Sequence, residues 1–174
     1  MSKKIKTFIA IGGTGGHVFP GLNLAKHLSE INYDVEIISD KRGSKYLNDI
    51  EKFKINIMPS SPLIHKNIIS KFFSLIIIFY SIIRSIIFLI LKRPKIIFGM
   101  GGYASFPICI AASILKIKFV IYENNLIIGK ANKYLLPFCE KMLVSQKELE
   151  GIPAKFYNKI IEVGNIIKKE IIEL

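Results

Sequence analysis

Cysteine is scarce in this sequence, and its scarcity argues against two classes of small protein. Cys109 and Cys139 are the only cysteines among the 174 residues, and they have neither the paired spacing of a zinc site nor the dense pattern of a disulfide-stabilised secreted domain. The sequence also lacks an Asp-x-Asp motif and any cluster of histidine and cysteine, so it offers no recognisable ligand set for a divalent metal. We therefore expect a reducing cytoplasm, no metal and no other cofactor.

Acidic residues are also few. The chain has 13 Asp and Glu against 25 Lys and Arg, a formal net charge of +12, which predicts attraction to nucleic acid, anionic lipid headgroups or phosphorylated substrates. Charge alone does not choose among these partners. The high apolar content, 51% of residues, and the absence of an Arg-rich helix or an aromatic-plus-basic RNA motif favour a membrane over nucleic acid.

Short apolar runs recur along the chain at the spacing of an α/β protein. Seven of them are predicted to be strands, and segments with helical periodicity lie between most of them. The runs are Thr7 to Ile11, Val35 to Ile38, Ile55 to Met58, Ile96 to Phe98, Phe119 to Tyr122, Met142 to Val144 and Ile160 to Val163. Runs that are apolar at nearly every position suit strands covered on both faces, as in a parallel sheet. The sequence therefore predicts an α/β fold with a doubly wound parallel sheet.

Two glycine-rich segments follow predicted strands and precede predicted helices. The first glycine loop runs from Gly12 to His17 and the second glycine loop from Gly99 to Tyr103. In a doubly wound sheet, ligands bind at the carboxyl ends of the strands, where glycines let backbone amides approach an anion at a helix N-terminus. Neither loop has the spacing of a known nucleotide-binding motif. Each is either a phosphate-binding loop or a tight turn without a ligand, and the presence of two such loops favours phosphate binding.

Three polar side chains fall at the same predicted edge of the sheet. His17 ends the first glycine loop, where its imidazole could accept a proton from an attacking hydroxyl near neutral pH. The alternative for His17 is a capping or surface histidine. Glu123 and Asn125 follow the fifth predicted strand; they are either site residues or a helix cap, and their position favours a site.

One hydrophobic segment, Phe72 to Leu91, has the length of a bilayer-spanning helix, about 20 residues. Polar residues recur along it and at its ends in steps of three to four, as a narrow stripe. They are Asn67, Ser70, Lys71, Ser74, Ser81, Arg84, Ser85 and Lys92. A span would separate the two glycine loops across the bilayer and place Arg84 inside it, at a cost of about 2.5 to 3.5 kcal/mol.

The preferred interpretation is a crossover helix whose broad apolar face packs partly on the sheet and dips partly into the lipid interface. A helix wholly covered by protein and a true span are the alternatives. The side chains expected to contact the membrane are Phe72, Phe73, Ile76, Phe79, Tyr80 and Ile83.

Four motifs occur in an order and spacing that match a known enzyme family. They are Gly12 to Pro20, Gly99 to Ser105, Tyr122 to Asn125 and Val163 to Asn165. Together they resemble the N-terminal domain of the MurG family of peptidoglycan synthesis, which implies the Rossmann-like N-terminal half of a GT-B glycosyltransferase. The resemblance also implies inverting transfer of N-acetylglucosamine from its UDP donor to the 4-hydroxyl of N-acetylmuramyl-pentapeptide on undecaprenyl diphosphate. That reaction makes lipid II at the cytoplasmic face of the plasma membrane, to which the protein would bind peripherally.

The resemblance further implies roles for individual residues. His17 would be the catalytic base and Glu123 a supporting group in the catalytic site. The residues that would hold the acceptor diphosphate are Gly13, Gly101, Gly102 and Tyr103. The residues that would contact the donor are Thr14, Gly15, Gly16, Asn125 and Lys168. The expected partners are thus UDP-N-acetylglucosamine, the undecaprenyl-linked acceptor and an anionic membrane surface, and not nucleic acid.

The sequence departs from the family within these motifs. Tyr122 and Asn124 replace the usual histidine and glutamine, and Ile166 replaces a proline. Phe106 stands where a glycine is common. Lys168 replaces an arginine, which keeps the charge but loses the bidentate guanidinium fork.

Residues 1–165 are expected to form the acceptor- and membrane-binding domain, and residues 166–174 to begin a linker to a donor-binding domain that this chain does not contain. Either a separate chain supplies that domain, or the chain is a truncated gene product with little activity; without a donor-binding partner we expect it to be inactive. The alternative from another functional class is a noncatalytic module that docks on a membrane or captures lipid diphosphates and recruits a catalytic chain. A basic nucleic-acid binder is a third alternative.

Overall fold

The computed structural model describes residues 4–48, 50–62 and 67–167, and within them the strands form one all-parallel sheet. The strands are β1 (Ile5–Ala10), β2 (Tyr33–Ser39), β3 (Lys54–Ile57), β4 (Ile96–Gly99), β5 (Lys118–Glu123), β6 (Lys141–Val144) and β7 (Ile160–Glu162). The α-helices are α1 (Gly15–Glu30), α2 (Ile68–Lys92), α3 (Gly102–Ile114) and α4 (Lys130–Leu135). Short 3₁₀ helices cover Gly43–Tyr46 and Ala154–Lys159. The seven predicted strands and the doubly wound parallel sheet are confirmed.

The strand order β3-β2-β1-β4-β5-β6-β7 creates a switch point between β1 and β4. From β1 the chain winds outward through β2 to β3, and α2 then carries it back across the sheet to β4 on the other side of β1. Ala10 at the end of β1 pairs with Gly99 at the end of β4, so the two glycine loops leave the sheet side by side. A crevice at the carboxyl ends of strands at such a point is where doubly wound folds bind ligands.

Alternate residues of the strands enter two separate cores, one on each face of the sheet. Phe8 and Ala10 of β1 join a core beneath α2, α3 and α4, and Ile9 joins the core beneath α1. Most positions of β1, β2 and β5 are therefore buried, which explains why these strands are apolar without alternation, whereas the edge strands β3 and β7 have no buried position. The helical spacing in α1 is also confirmed, because its periodic apolar positions are buried. They are Val18, Leu22, Ala25 and Leu28.

Helix α2 packs on the rest of the fold through its serines. Ser74, Ser81 and Ser85 are buried. The Ser81 hydroxyl donates to the carbonyl of Pro59 at 2.6 Å, and the hydroxyls of Ser74 and Ser61 lie 2.7 Å apart. The predicted polar stripe is therefore not one surface. Its serines face the protein, whereas Arg84 is exposed.

The large apolar side chains of α2 lie mostly on the outside. All six side chains expected to contact a membrane are exposed, over 42% to 66% of their surface. They are Phe72, Phe73, Ile76, Phe79, Tyr80 and Ile83. By length and composition alone α2 could cross a membrane, but it connects β3 and β4 of one continuous sheet. A span would divide that sheet, so the arrangement favours a helix lying along a surface.

Candidate active site at the carboxyl edge of the sheet

The two glycine loops converge on the imidazole of His17. Gly101 and Gly102 have φ values of +87° and +73°, a backbone region that side chains with a Cβ rarely adopt. A Cβ on Gly101 would lie 3.0 Å from Cε1 and Nδ1 of His17, and one on Gly102 would lie 3.2 Å from Cδ2. Glycine at these positions therefore lets the second loop close directly onto the histidine of the first.

His17 opens into a small pocket of about 220 Å³. The pocket is lined by His17, Gly102, Tyr103, Glu123, Asn125, Gly129, Lys130, Ala131 and Asn132. The Nδ1 atom of His17 is buried and has no hydrogen-bond partner among the described residues. The pocket thus combines an imidazole with polar groups from β5 and α4, the kinds of side chain that proton transfer to or from a bound ligand requires.

Glu123 accepts four hydrogen bonds within this pocket and is buried. Its Oε1 accepts from the backbone and side-chain nitrogens of Asn125, at 3.2 and 2.6 Å, and its Oε2 accepts from the amide of Gly129 at 2.7 Å and from Asn132 at 3.1 Å. Both carboxylate oxygens are occupied by donors from the loop between β5 and α4 and from α4 itself. This bonding fits a residue that holds the wall of the pocket in place better than one that exchanges protons.

Asn132, in α4, is a pocket residue that the sequence analysis did not identify. It is 1% exposed, and its Nδ2 donates to the carbonyl of Tyr122 at 2.9 Å as well as to Glu123. Its Oδ1 has no partner among the described residues. Buried amide oxygens are normally satisfied, so this atom is an acceptor available to a ligand. The sequence contains no motif around Asn132 that could have indicated this role.

Asp40, at the carboxyl end of β2, organises the first glycine loop and was also missed. Its carboxylate accepts from the amides of Gly13 at 3.1 Å and Gly43 at 2.7 Å, from Ser60 Oγ at 2.7 Å and from the guanidinium of Arg42. Burial acts to raise the pKa of Asp40, but the hydrogen bonds from Gly43, Ser60, Gly13 and Arg42 outweigh it and hold the pKa below its usual value. The ionised carboxylate therefore stabilises the loop.

We expect Asp40→Asn to lower the free energy of unfolding by about 2 kcal/mol at pH 7, because it weakens hydrogen bonds to a buried charge. The pKa of Asp40 is lower in the folded state than its unfolded value of about 3.9. The stabilisation is therefore complete above about pH 5 and is lost as the pH falls through the folded-state pKa. Denaturant unfolding of both proteins at pH 7 and pH 3 measures the difference, with the exposed Asp34→Asn as control. A difference that grew toward low pH would contradict the assignment.

The residues predicted to contact a donor do not lie in one pocket. Asn125 lines the pocket of His17, whereas Gly15 and Gly16 line a neighbouring concavity of about 500 Å³ with Phe19 and Asn124. Thr14 is exposed at the N-terminus of α1. Asn124 Nδ2 donates to the carbonyl of Gly16 at 3.0 Å. Lys168 lies outside the described residues.

Tyr122 ties the end of the described chain to this region. Its hydroxyl donates to the carbonyl of Gly164 at 3.3 Å and accepts from the amide of Ile166 at 3.4 Å. The side chain of Asn23 also contacts the carbonyl of Ile166, at 3.5 Å. The expected domain boundary after residue 165 therefore falls next to residues that still contact the domain.

Comparison with known proteins identifies a family for most of the chain. Residues 7–144 match the family model of the glycosyltransferase family 28 N-terminal domain. Two curated relatives, from Pelagibacter ubique and Rickettsia canadensis, carry the name UDP-N-acetylglucosamine–N-acetylmuramyl-(pentapeptide) pyrophosphoryl-undecaprenol N-acetylglucosamine transferase. They are 36% and 32% identical to this chain over 97% and 95% of its length. The alignments cover 46% of each relative, so the chain spans about half the length of the curated relatives it matches.

Solved structures show the same architecture. MurG from Acinetobacter baumannii superposes with a TM-score of 0.74 at 23% identity, over 94% of this chain and 46% of that protein. A UDP-GlcNAc 2-epimerase from Methanocaldococcus jannaschii superposes with a TM-score of 0.61 at 18% identity, over 92% of this chain and 46% of that one. Both identities are low, and the two solved structures carry the names of different proteins. The superpositions therefore show a shared fold alone. The GT-B-type N-terminal domain predicted from the motifs is confirmed.

Proposed function

Because the chain belongs to the glycosyltransferase family 28 N-terminal domains, with the MurG transferases among its relatives, we propose that it is the acceptor- and membrane-binding half of such a transferase. The reaction is inverting transfer of N-acetylglucosamine from UDP-N-acetylglucosamine to undecaprenyl-diphosphate-linked N-acetylmuramyl-pentapeptide, which forms lipid II. One observation carries the proposal. His17 lies between two glycine loops at the switch point of the sheet, which is where a hydroxyl nucleophile and an anionic leaving or anchoring group can meet.

The acceptor diphosphate binds between the two loops, at Gly13, Gly101, Gly102 and Tyr103. Glycines without a Cβ let phosphate oxygens approach the backbone closely, and the N-termini of α1 and α3 add partial positive charge. The amide of Gly13 itself is bonded to Asp40, so Gly13 contributes space for the diphosphate and not a free donor. This places the lipid-linked sugar at the pocket of His17. The positive φ values of Gly13, Gly101 and Gly102 fit a loop shaped by ligand approach.

In the transfer step, the 4-hydroxyl oxygen of the acceptor attacks the anomeric carbon of the donor sugar, and the bond to UDP breaks. His17 takes the hydroxyl proton, and UDP leaves with the electron pair of the broken bond. Glu123 acts through Asn125 and Asn132, which it holds at the wall of the pocket. The two groups therefore act differently, because His17 moves the proton whereas Glu123 positions the residues around it.

The donor side combines Thr14, Gly15, Gly16 and Asn125 with Lys168. Most donor contacts come from a second, donor-binding half, carried by the same polypeptide or by a separate chain, and transfer needs both halves. Residues 1–165 form the acceptor domain and residues 166–174 lead toward the donor half. The 46% coverage of a curated relative supports a division into two halves.

Helix α2 binds the cytoplasmic face of the plasma membrane. The helix lies beside the segment that follows β3, because Ser74 and Ser81 bond to residues 59–61 of that segment, and its exposed aromatic side chains lie on the outside. That segment leaves the same edge of the sheet as the glycine loops. A protein resting on lipid through this face presents its acceptor pocket close to the headgroups, and each cation near an anionic leaflet adds about 1 kcal/mol.

The test joins an acceptor-binding measurement to a transfer assay. The full chain should bind the lipid-linked acceptor in detergent micelles, and UDP-N-acetylglucosamine much more weakly. A chimera that joins residues 1–165 to the donor half of the Pelagibacter relative should transfer labelled sugar, while each half alone should not. Absence of acceptor binding would refute the proposal. Binding without transfer by a folded chimera would instead favour a noncatalytic lipid-diphosphate module.

A further inference from the structure

Arg42 brings a positive charge to the place where the two glycine loops meet. It follows β2, on a third loop that carries none of the recognised motifs. Its Nη2 atom lies 3.8 Å from the position that a Cβ of Gly13 would occupy, and its Cζ atom lies 5.8 Å from the ring centroid of Tyr103. A single guanidinium therefore stands next to one residue of each glycine loop.

The guanidinium is held in this position by a buried partner. Nε and Nη2 of Arg42 donate to Oδ2 of Asp40 at 3.2 and 3.1 Å, and Asp40 also binds the amides of Gly13 and Gly43. The Asp40 side chain is 3% exposed, whereas the Arg42 side chain is 50% exposed. Arg42 is thus anchored at one edge of its guanidinium and open to solvent at the other, where an anion can reach it. This is the geometry that suits phosphate recognition.

Arg42 also borders a groove on its other side. The groove has a volume of about 780 Å³ and passes between the segment after β3 and helix α2. Its apolar lining includes Pro59, Ile77 and Tyr80, and Arg84 is a second cation along it. Arg42 therefore stands at the junction between amide-rich loops and an apolar channel. A ligand that complements both is a diphosphate attached to an apolar chain.

We infer that Arg42 is a direct ligand of the acceptor diphosphate, on the side where the isoprenoid chain leaves along the groove beneath α2. The inference rests on the proposed function and adds a binding residue to it. The guanidinium bonds phosphate oxygens that the loop amides leave unpaired. A diphosphate occurs both in the lipid-linked acceptor and in the nucleotide donor. The experiment must therefore distinguish binding of these two ligands.

The test titrates farnesyl diphosphate and, separately, UDP into the ¹⁵N-labelled full chain and follows backbone amides by NMR. Arg42→Gln should weaken farnesyl diphosphate binding about 10- to 100-fold, because a charge-assisted hydrogen bond is lost. Arg42→Lys keeps the charge but lacks the guanidinium fork, so its affinity for farnesyl diphosphate should lie between those of the wild type and Arg42→Gln. The matched control is Lys45→Gln, which removes the same charge from the exposed end of the same loop. It should change binding less than about twofold, and UDP binding should be insensitive to all three.

The possible outcomes separate a direct contact from its alternatives. Weaker farnesyl diphosphate binding in Arg42→Gln, with the amide signals of Gly13 and Gly43 unmoved in the free protein, supports a direct contact. Three results would overturn the direct contact. They are unchanged binding in Arg42→Gln, an equal loss of binding in Lys45→Gln, and a loss of binding in Arg42→Gln that accompanies displaced Gly13 and Gly43 signals. A selective loss of UDP binding would assign Arg42 to the donor site and would also overturn the inference. If the wild-type chain binds no farnesyl diphosphate, the acceptor site itself fails, and that failure is distinct from a failure of Arg42 alone.

Discussion

Replacement of His17 by alanine should lower the rate of N-acetylglucosamine transfer about 10²- to 10⁴-fold, the usual contribution of a positioned general base. The imidazole lies against the second glycine loop and lines the pocket, and its buried Nδ1 has no hydrogen-bond partner among the described residues. In the proposed site the diphosphate contacts the glycine loops and not the imidazole, so acceptor binding should change less than about threefold. The measurement is steady-state transfer by the chimera, with acceptor binding determined on the same preparations.

The control for this change is His27→Ala, a histidine exposed on α1. It should leave transfer unchanged. A His17→Ala enzyme with an undiminished rate would remove His17 as the base. A fall in acceptor binding as large as the fall in rate would make it a binding residue.

The second large effect concerns the membrane. The triple variant Phe72→Ser, Phe73→Ser, Phe79→Ser should bind vesicles of phosphatidylglycerol and phosphatidylcholine at least about 100-fold more weakly, since inserting an aromatic side chain into an apolar phase is worth about 1.5 to 3 kcal/mol. These side chains are 63%, 60% and 66% exposed. Their removal should therefore leave the thermal unfolding temperature nearly unchanged. Vesicle co-sedimentation and thermal unfolding together measure both effects.

A matched control replaces three aromatic side chains of similar exposure that lie away from α2. Tyr134, Phe138 and Tyr157 are 61%, 58% and 62% exposed, and their replacement by serine removes comparable apolar surface. This control should bind vesicles within about threefold of wild type, because scattered surface apolar groups do not form an insertion face. Equal losses in the two triple variants would show that binding depends on general hydrophobicity and not on α2.

Much of the fold could be predicted from the sequence, because the central strands lie between two cores. A strand such as β5 is apolar at nearly every position for that reason, and its pattern carries the information locally. The glycine loops could be recognised in the same way, since positive φ at Gly101 and Gly102 restricts the residue that can occupy those positions. The proximity of His17 to the second loop followed from the parallel order of the strands.

The roles of Asp40, Arg42 and Asn132 could not be predicted, because they depend on residues of other segments that only the fold brings close. For Asp40 and Arg42 these are residues of the glycine loops. Asp40 binds the amide of Gly13 across the junction of β1 and β2, and Asn132 reaches the carbonyl of Tyr122 at the end of β5. No local pattern distinguishes such an aspartate or asparagine from one in an ordinary turn.

Helix α2 also has one property that the sequence predicts and another that only the fold decides. Its composition alone established a long apolar helix with a few serines, but not which side would face the protein. In the fold the small serines allow close approach to residues 59–61, and their hydroxyls find partners there. The bulky aromatic side chains are left outside. The sequence thus determined the strands, the glycine loops and the candidate base, because each depends on neighbouring residues. Only the tertiary structure decided the outward face of α2 and the position of the Asp40–Arg42 pair beside the glycine loops, because both depend on contacts between segments that are far apart in the chain.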